Sequence, residues 1–260
     1  FNMTRLFIKG FLIGSGKIIP GISGSLIACF LNVYDEAIMR IKSIYKNPKE
    51  NIAFFLPLSI GFLISLIIGS KALQYLFTKY YTVSILLISL VLIISLPTIT
   101  RKKDNKSIII SILTLVISNT IFKTNSKGIF IYENDLKSKL TVLMIGIIES
   151  FSTVFPGVSG TAIYMNLGYY NFILDLFSNI YKYLLTERFI LFILAVSISF
   201  YLLVLLLNFL IKKYHDNLYS VILGFAYFSI YQLLNNINNI LAIVVLLLSI
   251  IYTNKKRIKT

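Results

Sequence analysis

Apolar runs about as long as a bilayer is thick recur along this chain, and they limit its fold more than any other feature. A spanning helix needs roughly 20 consecutive apolar residues. The stretches 52–70, 82–99, 107–122, 188–211, 218–234 and 239–252 approach that length, the shorter ones requiring an upright pose or a thin bilayer. With 57% hydrophobic and 13% charged residues in 260, and a mean hydropathy of +0.83, the chain reads as an all-α polytopic membrane protein. The net charge of +15 raises nucleic acid as a partner, but the Lys and Arg residues punctuate the apolar runs instead of sharing one soluble face. They read as topology signals, with membrane lipid as the partner and no nucleic acid. Cys29 is the single cysteine, which excludes an internal disulfide framework and a Cys-rich metal site; no metal or cofactor is expected. The opening FNMTRLFIKGFLIG has no small-residue cleavage site and reads as part of the mature chain.

Two further apolar stretches, 6–33 and 140–170, are interrupted by IIPGISGS at 18–25 and VFPGVSGT at 154–161. At 28 and 31 residues they are too short for two spans and needlessly long for one. Proline and glycine at the middle of each predict two half-helices of about 14 residues, about 21 Å long, forming a re-entrant hairpin.

The two stretches are copies. A shift of 136 residues superposes Gly10 on Gly146, Pro20 on Pro156, Gly21 on Gly157, Ser23 on Ser159 and Gly24 on Gly160. Each is followed by a polar or amphipathic stretch and three spans, so the expected architecture is one membrane domain over 1–260, with repeat one at 6–122 and repeat two at 140–252. Because three is odd, the second copy enters from the opposite side, the inverted-topology arrangement common in secondary transporters. With two hairpins, 16 bases fall on one side and 8 on the other; with single crossings the split is 14 to 10. The positive-inside rule favours the hairpins and puts both termini in the cytoplasm.

Backbone accounting says what the breaks can do. An unpaired N–H in hydrocarbon costs several kcal/mol, so an interrupted helix requires protein, water or a ligand at the break. Ser23 and Ser159 stand where a helix restarts and are expected as N-caps. Exposed N–H groups beside glycines, with the hydroxyls of Ser23, Ser25, Ser159 and Thr161, form a phosphate or carboxylate site. The alternative is that these glycines only permit tight packing. Lys17 and Glu149 lie within apolar half-helices, where charge is expensive. Lys17 could neutralise an anionic head group or snorkel to an interface; Glu149 could pair with Lys17 or carry a coupling proton. Asp35, Glu36, Asp175, Tyr34, Tyr169 and Tyr170 read as interfacial, and NNINN at 235–239 as a tight turn.

A pair of PG-[IV]-SG motifs, each in a re-entrant-like stretch and followed by an aromatic such as Tyr34 or Tyr170, resembles the bacterial polyprenyl-phosphate transporter family over essentially the whole chain. The resemblance implies recycling of undecaprenyl phosphate, the lipid carrier of cell-wall precursors, from the outer to the inner leaflet of the cytoplasmic membrane. It carries Pro20, Gly21, Ser23, Gly24, Pro156, Gly157, Ser159 and Gly160 over as head-group residues. The first motif departs from the family pattern at Ser25, where a second glycine is common, and at Lys17, where a small or amide side chain is common. Such a protein is a transporter and no enzyme, and a homo-oligomer is compatible with it. An undecaprenyl-diphosphate phosphatase resembles it in motif, but here no Arg follows either PG-x-SG, and His215 sits in an expected loop beside Lys212 and Lys213. A small-anion transporter and a membrane scaffold without substrate are the remaining alternatives.

Overall fold

The structure, a computed structural model, describes residues 2–19, 22–69, 75–76, 79–100, 104–121, 130–178, 180–235 and 237–255. Pro20 and Gly21 of the first motif lie outside the described residues, as do the basic residues at 101–103, 123–127 and 256–259. All regular structure among the described residues is helical. The elements are α1 (Met3–Ile18), α2 (Gly24–Phe30), α3 (Tyr34–Lys42), α4 (Pro48–Ile64) prolonged by a π-helical turn at Ser65–Gly69, α5 (Tyr81–Ile99) and α6 (Asn105–Ile121). There follow α7 (Leu136–Val154), α8 (Gly160–Leu167), α9 (Tyr170–Ser178), the short α10 (Ile180–Tyr183), α11 (Glu187–Asn235) and α12 (Asn239–Lys255).

Helix boundaries repeat with the sequence. A shift of 136 takes the end of α1 at Ile18 to the end of α7 at Val154, and the start of α2 at Gly24 to the start of α8 at Gly160. It likewise takes both ends of α3 onto both ends of α9. Equal half-helices do not form: the lengths are 16 and 7 residues in the first stretch and 19 and 8 in the second. The second half is stopped early by a left-handed cap. Asn32 has φ 52°, with Val33 N–H donating to Ala28 O at 2.9 Å and Asn32 N–H to Cys29 O at 3.0 Å, a Schellman closure. Gly168, at φ 76°, ends α8 in the same way, with Tyr169 N–H on Tyr164 O.

The expected spans 188–211 and 218–234 are not separated by a loop. One helical stretch, α11, runs through both, broken only at Tyr214, whose φ −131° and ψ 35° are non-helical. His215 therefore lies at a helix break. At the other end of this span the NNINN turn is tight as expected: Asn238 Oδ1 accepts from Ile240 and Leu241 N–H and starts α12. Asp135 similarly caps α7 through Ser138 N–H at 2.8 Å, and the hydroxyl of Ser138, together with that N–H, holds its carboxyl below the usual carboxylate range.

Small residues let the helices approach. On α1, Gly10 and Gly14 face Gly61 and Ser65 of the α4 stretch: a Cβ on Gly10 would run into the Leu58 carbonyl, one on Gly61 into the Phe7 carbonyl, and one on Gly14 would stand 2.7 Å from Phe62 O. Ser15 Oγ meets Ser65 Oγ at 2.9 Å across this contact. On α7, Gly146 and Ser150 face Ala195 and Ser199 of α11, with Ser199 Oγ donating to Ser150 Oγ at 2.8 Å and Ser150 to Val196 O at 2.8 Å. Both pairs are small-xxx-small contacts, the packing that membrane helices use where no hydrophobic force draws them together.

The second half of α11 is the central post, with Ile222, Tyr227, Ile230 and Leu233 buried against Leu26 of α2 and Leu92, Leu96 and Ile99 of α5. Gly224 admits α6, since a Cβ there would press on the Ser111 carbonyl and Thr114. The outside is apolar: Leu87, Val91, Ile198, Leu202, Leu247 and Leu248 are exposed while Ser111, Ser118, Ser150 and Ser249 are buried. An apolar core under an apolar outer surface suits a hydrocarbon solvent. Tyr81–Ile99 and Glu187–Asn235 are long and apolar enough to cross a membrane.

The α1–α4 contact yields a test. Gly61→Val forces α1 away and is expected to destabilise by about 1–3 kcal/mol, as overpacking does. The same change at the neighbouring exposed Ile60 is expected to leave the unfolding midpoint in detergent unmoved; equal midpoints for both variants would show that close approach is not required.

Candidate functional site

α2 packs back on α1, so that Gly24 lies beside Ile13 and Lys17, and Ile27 fills the space over Gly16. α8 packs on α7 in the same register: a Cβ on Gly160 would stand 2.5 Å from Ser152 Oγ and 3.5 Å from Glu149 Oε2. Gly160 is thus glycine because α7 leaves no room for a side chain. Gly157 is constrained twice, by φ 86° and by the Phe225 side chain occupying the place of a Cβ.

The two broken helices meet. Lys17, Ser23, Ser152, Ser159 and Gly160 line one polar recess. Its free space of about 20 Å³ suits a water or two. Ser23 and Ser159 are both buried. Ser23 occupies the N-cap position of α2 as expected, yet its side chain makes no capping bond; its Oγ lies 2.6 Å from Ser25 Oγ instead. Ser25 then donates to Phe155 O at 3.3 Å, joining the first motif to the second. Pro156 is buried at the turn, and the side chain of Thr161 lies outside the described residues.

Lys17 and Glu149 form an ion pair across the repeats, Nζ to Oε1 at 3.3 Å. Thr153 sits between them, 3.4 Å from Lys17 Nζ and 3.3 Å from Glu149 Oε1. The other carboxylate oxygen accepts from the Tyr164 hydroxyl at 2.7 Å. Each charge therefore has a counter-charge beside it, and neither side chain is fully buried. Lys17 is still 39% exposed.

Three contacts were not legible in the sequence. Tyr164, two turns into neither motif but one turn past Gly160, holds Glu149. Tyr34 is buried, not interfacial, and donates to Val154 O at 3.0 Å, beside the second motif. Asp35 accepts from Tyr219 at 2.8 Å and lies 3.3 Å from His215 Nε2, tying α3 to the break in α11. The signal that could have found Tyr164 is a phenol in the apolar half-helix one turn after the motif. The sequence marks Tyr34 as the aromatic after the first motif and Asp35 as a neighbouring charge, but not their partners, which are 120 to 184 residues away.

A helical bundle with an apolar outer surface, two helices long and apolar enough to cross a membrane, and two interrupted helices meeting at a lysine and serines is consistent with a helical membrane protein. Residues 13–245 match the model of a family described as VCA0040-like, undecaprenyl phosphate translocase-like, and the chain belongs to that family. No curated protein and no solved structure matches the chain.

The ion pair is testable by a double-mutant cycle. Lys17→Met and Glu149→Gln are each expected to lower stability, with the double variant less destabilised than the sum and a coupling of about 0.5–3 kcal/mol. Additive effects in thermal unfolding would mean that the two charges do not interact.

Proposed function

We propose that this protein is a flippase that returns undecaprenyl phosphate, or a related polyprenyl phosphate, from the outer to the inner leaflet of the bacterial cytoplasmic membrane. In this reading the chain is one multi-pass domain with both termini cytoplasmic. Residues 6–122 and 140–252 are inverted repeats, and each PG-x-SG loop lies at the tip of a re-entrant helix pair. The family match supports the substrate class. The observation that carries the reading is the convergence of both motifs on one recess, where Ser23 and Ser159 lie beside Lys17.

The recess suggests a cycle. With Glu149 ionised, Lys17 is paired and the site is closed to an anion. A proton on Glu149 frees Lys17 to become the counter-ion of the phosphate, while Ser23, Ser25, Ser159 and the N–H groups at the starts of α2 and α8 supply hydrogen bonds. In this reading Pro20, Gly21, Gly24, Pro156, Gly157 and Gly160 belong to the head-group loops, with the Thr161 hydroxyl joining the donors. Moving the head inward costs about 2.3 kcal/mol per charge per 100 mV against a negative interior, and a proton carried by Glu149 offsets one charge. A phosphatase is disfavoured because His215 is engaged with Asp35 and Tyr219 and does not line the recess.

Leaflet-resolved translocation of labelled polyprenyl phosphate in proteoliposomes tests the reading. Ser23→Ala and Ser159→Ala each remove a hydrogen bond to a charged group, worth about 1.5–3 kcal/mol, and are expected to slow translocation by roughly ten- to a hundredfold. Glu149→Gln is expected to flatten the pH dependence. Equal rates in empty and protein-containing liposomes would overturn the flippase, and an unaltered pH profile in Glu149→Gln would remove the proton carrier.

A further inference from the structure

Beside the polar recess lies a second cavity of different character. It has a volume of about 240 Å³ and runs between the α1–α4 pair and the α7–α11 pair, with Phe55, Leu58 and Phe62 of α4 along one wall and Phe200 of α11 on the other. Ala37 and Ile41 of α3 also line it. Phe55, Leu58 and Phe62 share one helical face and cover about 10 Å at 1.5 Å per residue. They are half-exposed, so the groove is open to its surroundings.

Its polar end is fixed by the packing of α1 on α4. Gly14 abuts Phe62, which puts Lys17 about one turn beyond the aromatic wall. Lys17 and Ser152 line both the groove and the polar recess. An apolar trough therefore opens directly onto the lysine and the serine motifs. A different groove on the far side of α1, lined by Leu12, Ile19, Leu87 and Val91, has no charged residue and does not include Lys17.

We propose that the α3–α4 groove is the binding site for the hydrocarbon tail of the substrate, and that its head-proximal isoprene units lie along Phe55–Phe62 while the phosphate sits at Lys17. This assignment rests on the polyprenyl-phosphate reading above and adds the route of the tail. Its volume falls below the roughly 300–1,000 Å³ of sites that enclose a whole small molecule. It holds a stretch of chain, and the rest lies in the bilayer. A single trough takes a single chain, which a polyprenyl phosphate has and a glycerophospholipid, with two, does not. The amphiphile is recognised by continuity: anion at one end, apolar wall at the other, Lys17 at the junction.

The probe is a polyprenyl phosphate carrying a photoreactive diazirine near its head, used on the full chain in proteoliposomes. Labelling is expected on α4 within 55–62 and on α3 at Ala37–Ile41, with unlabelled undecaprenyl phosphate competing it away. Labelling on Leu87 and Val91, or labelling that a phospholipid competes away and undecaprenyl phosphate does not, would overturn the assignment. Ala37→Phe and Ile41→Trp fill the groove and are expected to slow translocation of the full-length lipid about tenfold or more, while a two-isoprene phosphate still competes within about twofold of wild type. Leu87→Trp and Val91→Trp in the other groove are expected to leave translocation unchanged. Unchanged translocation in the α3 variants would also overturn it. If wild-type protein bound the probe in the groove and moved no lipid, the flippase reading would fail while the tail site stood.

Discussion

A helix broken inside a packed apolar interior must find partners for the backbone groups the break releases, and the contact between the two halves follows from that demand. At the end of α7 the freed carbonyls are met from the other half of the chain. Tyr34 donates to Val154 O and Ser25 to Phe155 O. On the first side, Leu31 O accepts from Lys9 Nζ at 2.8 Å. The breaks thus join the two halves, because the bonds that make one of them tolerable cross from one half to the other. α3 is the carrier of this linkage: its first turn reaches the second motif through Tyr34 and the break in α11 through Asp35.

The two repeated stretches match in register and differ in charge. Under the shift of 136, Lys17 corresponds to Thr153 and Glu149 to Ile13. A strictly symmetric pair would bring two lysines or two glutamates together, which repel and are costly in an apolar setting. With one charge kept in each half, one turn apart in register, the pair is complementary and Thr153 bonds both members. A second asymmetry lies in buried residues of matching register: Phe225 packs where a side chain on Gly157 would stand, while its counterpart under the shift of 136 is Ser89, buried with its hydroxyl unpartnered.

Local rules reached the places where local physics decides. Proline and glycine mark the breaks, and the register of 136 predicts that both stop and restart at matching residues, as Ile18, Val154, Gly24 and Gly160 do. The Lys17–Glu149 pairing was legible because two lone charges in apolar helices need each other. Half-helix lengths were not, since they depend on the left-handed caps at Asn32 and Gly168 and not on the position of the proline. The small-xxx-small faces at Gly10, Gly14, Gly146 and Ser150 are visible in the sequence once their partners are known, but glycine near a motif reads first as part of it. Continuity of α11 through Lys212, Lys213 and His215 was hidden because charge in a membrane protein ordinarily marks a loop. The helix carries these residues through with a single non-helical residue, Tyr214.

Under the proposed function, a lysine paired with a glutamate serves better than a fixed pair of charges: a lysine held permanently by the carboxylate would refuse the phosphate, so the pairing has to be reversible. Glu149 is held on its other oxygen by Tyr164, so it keeps its place whether or not Lys17 is bound to it. Lys17, on a flexible stem and 39% exposed, is the partner free to move. In the proposed cycle, anion and carboxylate compete for this one cation at the mouth of the apolar groove, and the exchange asks for a side-chain movement of Lys17.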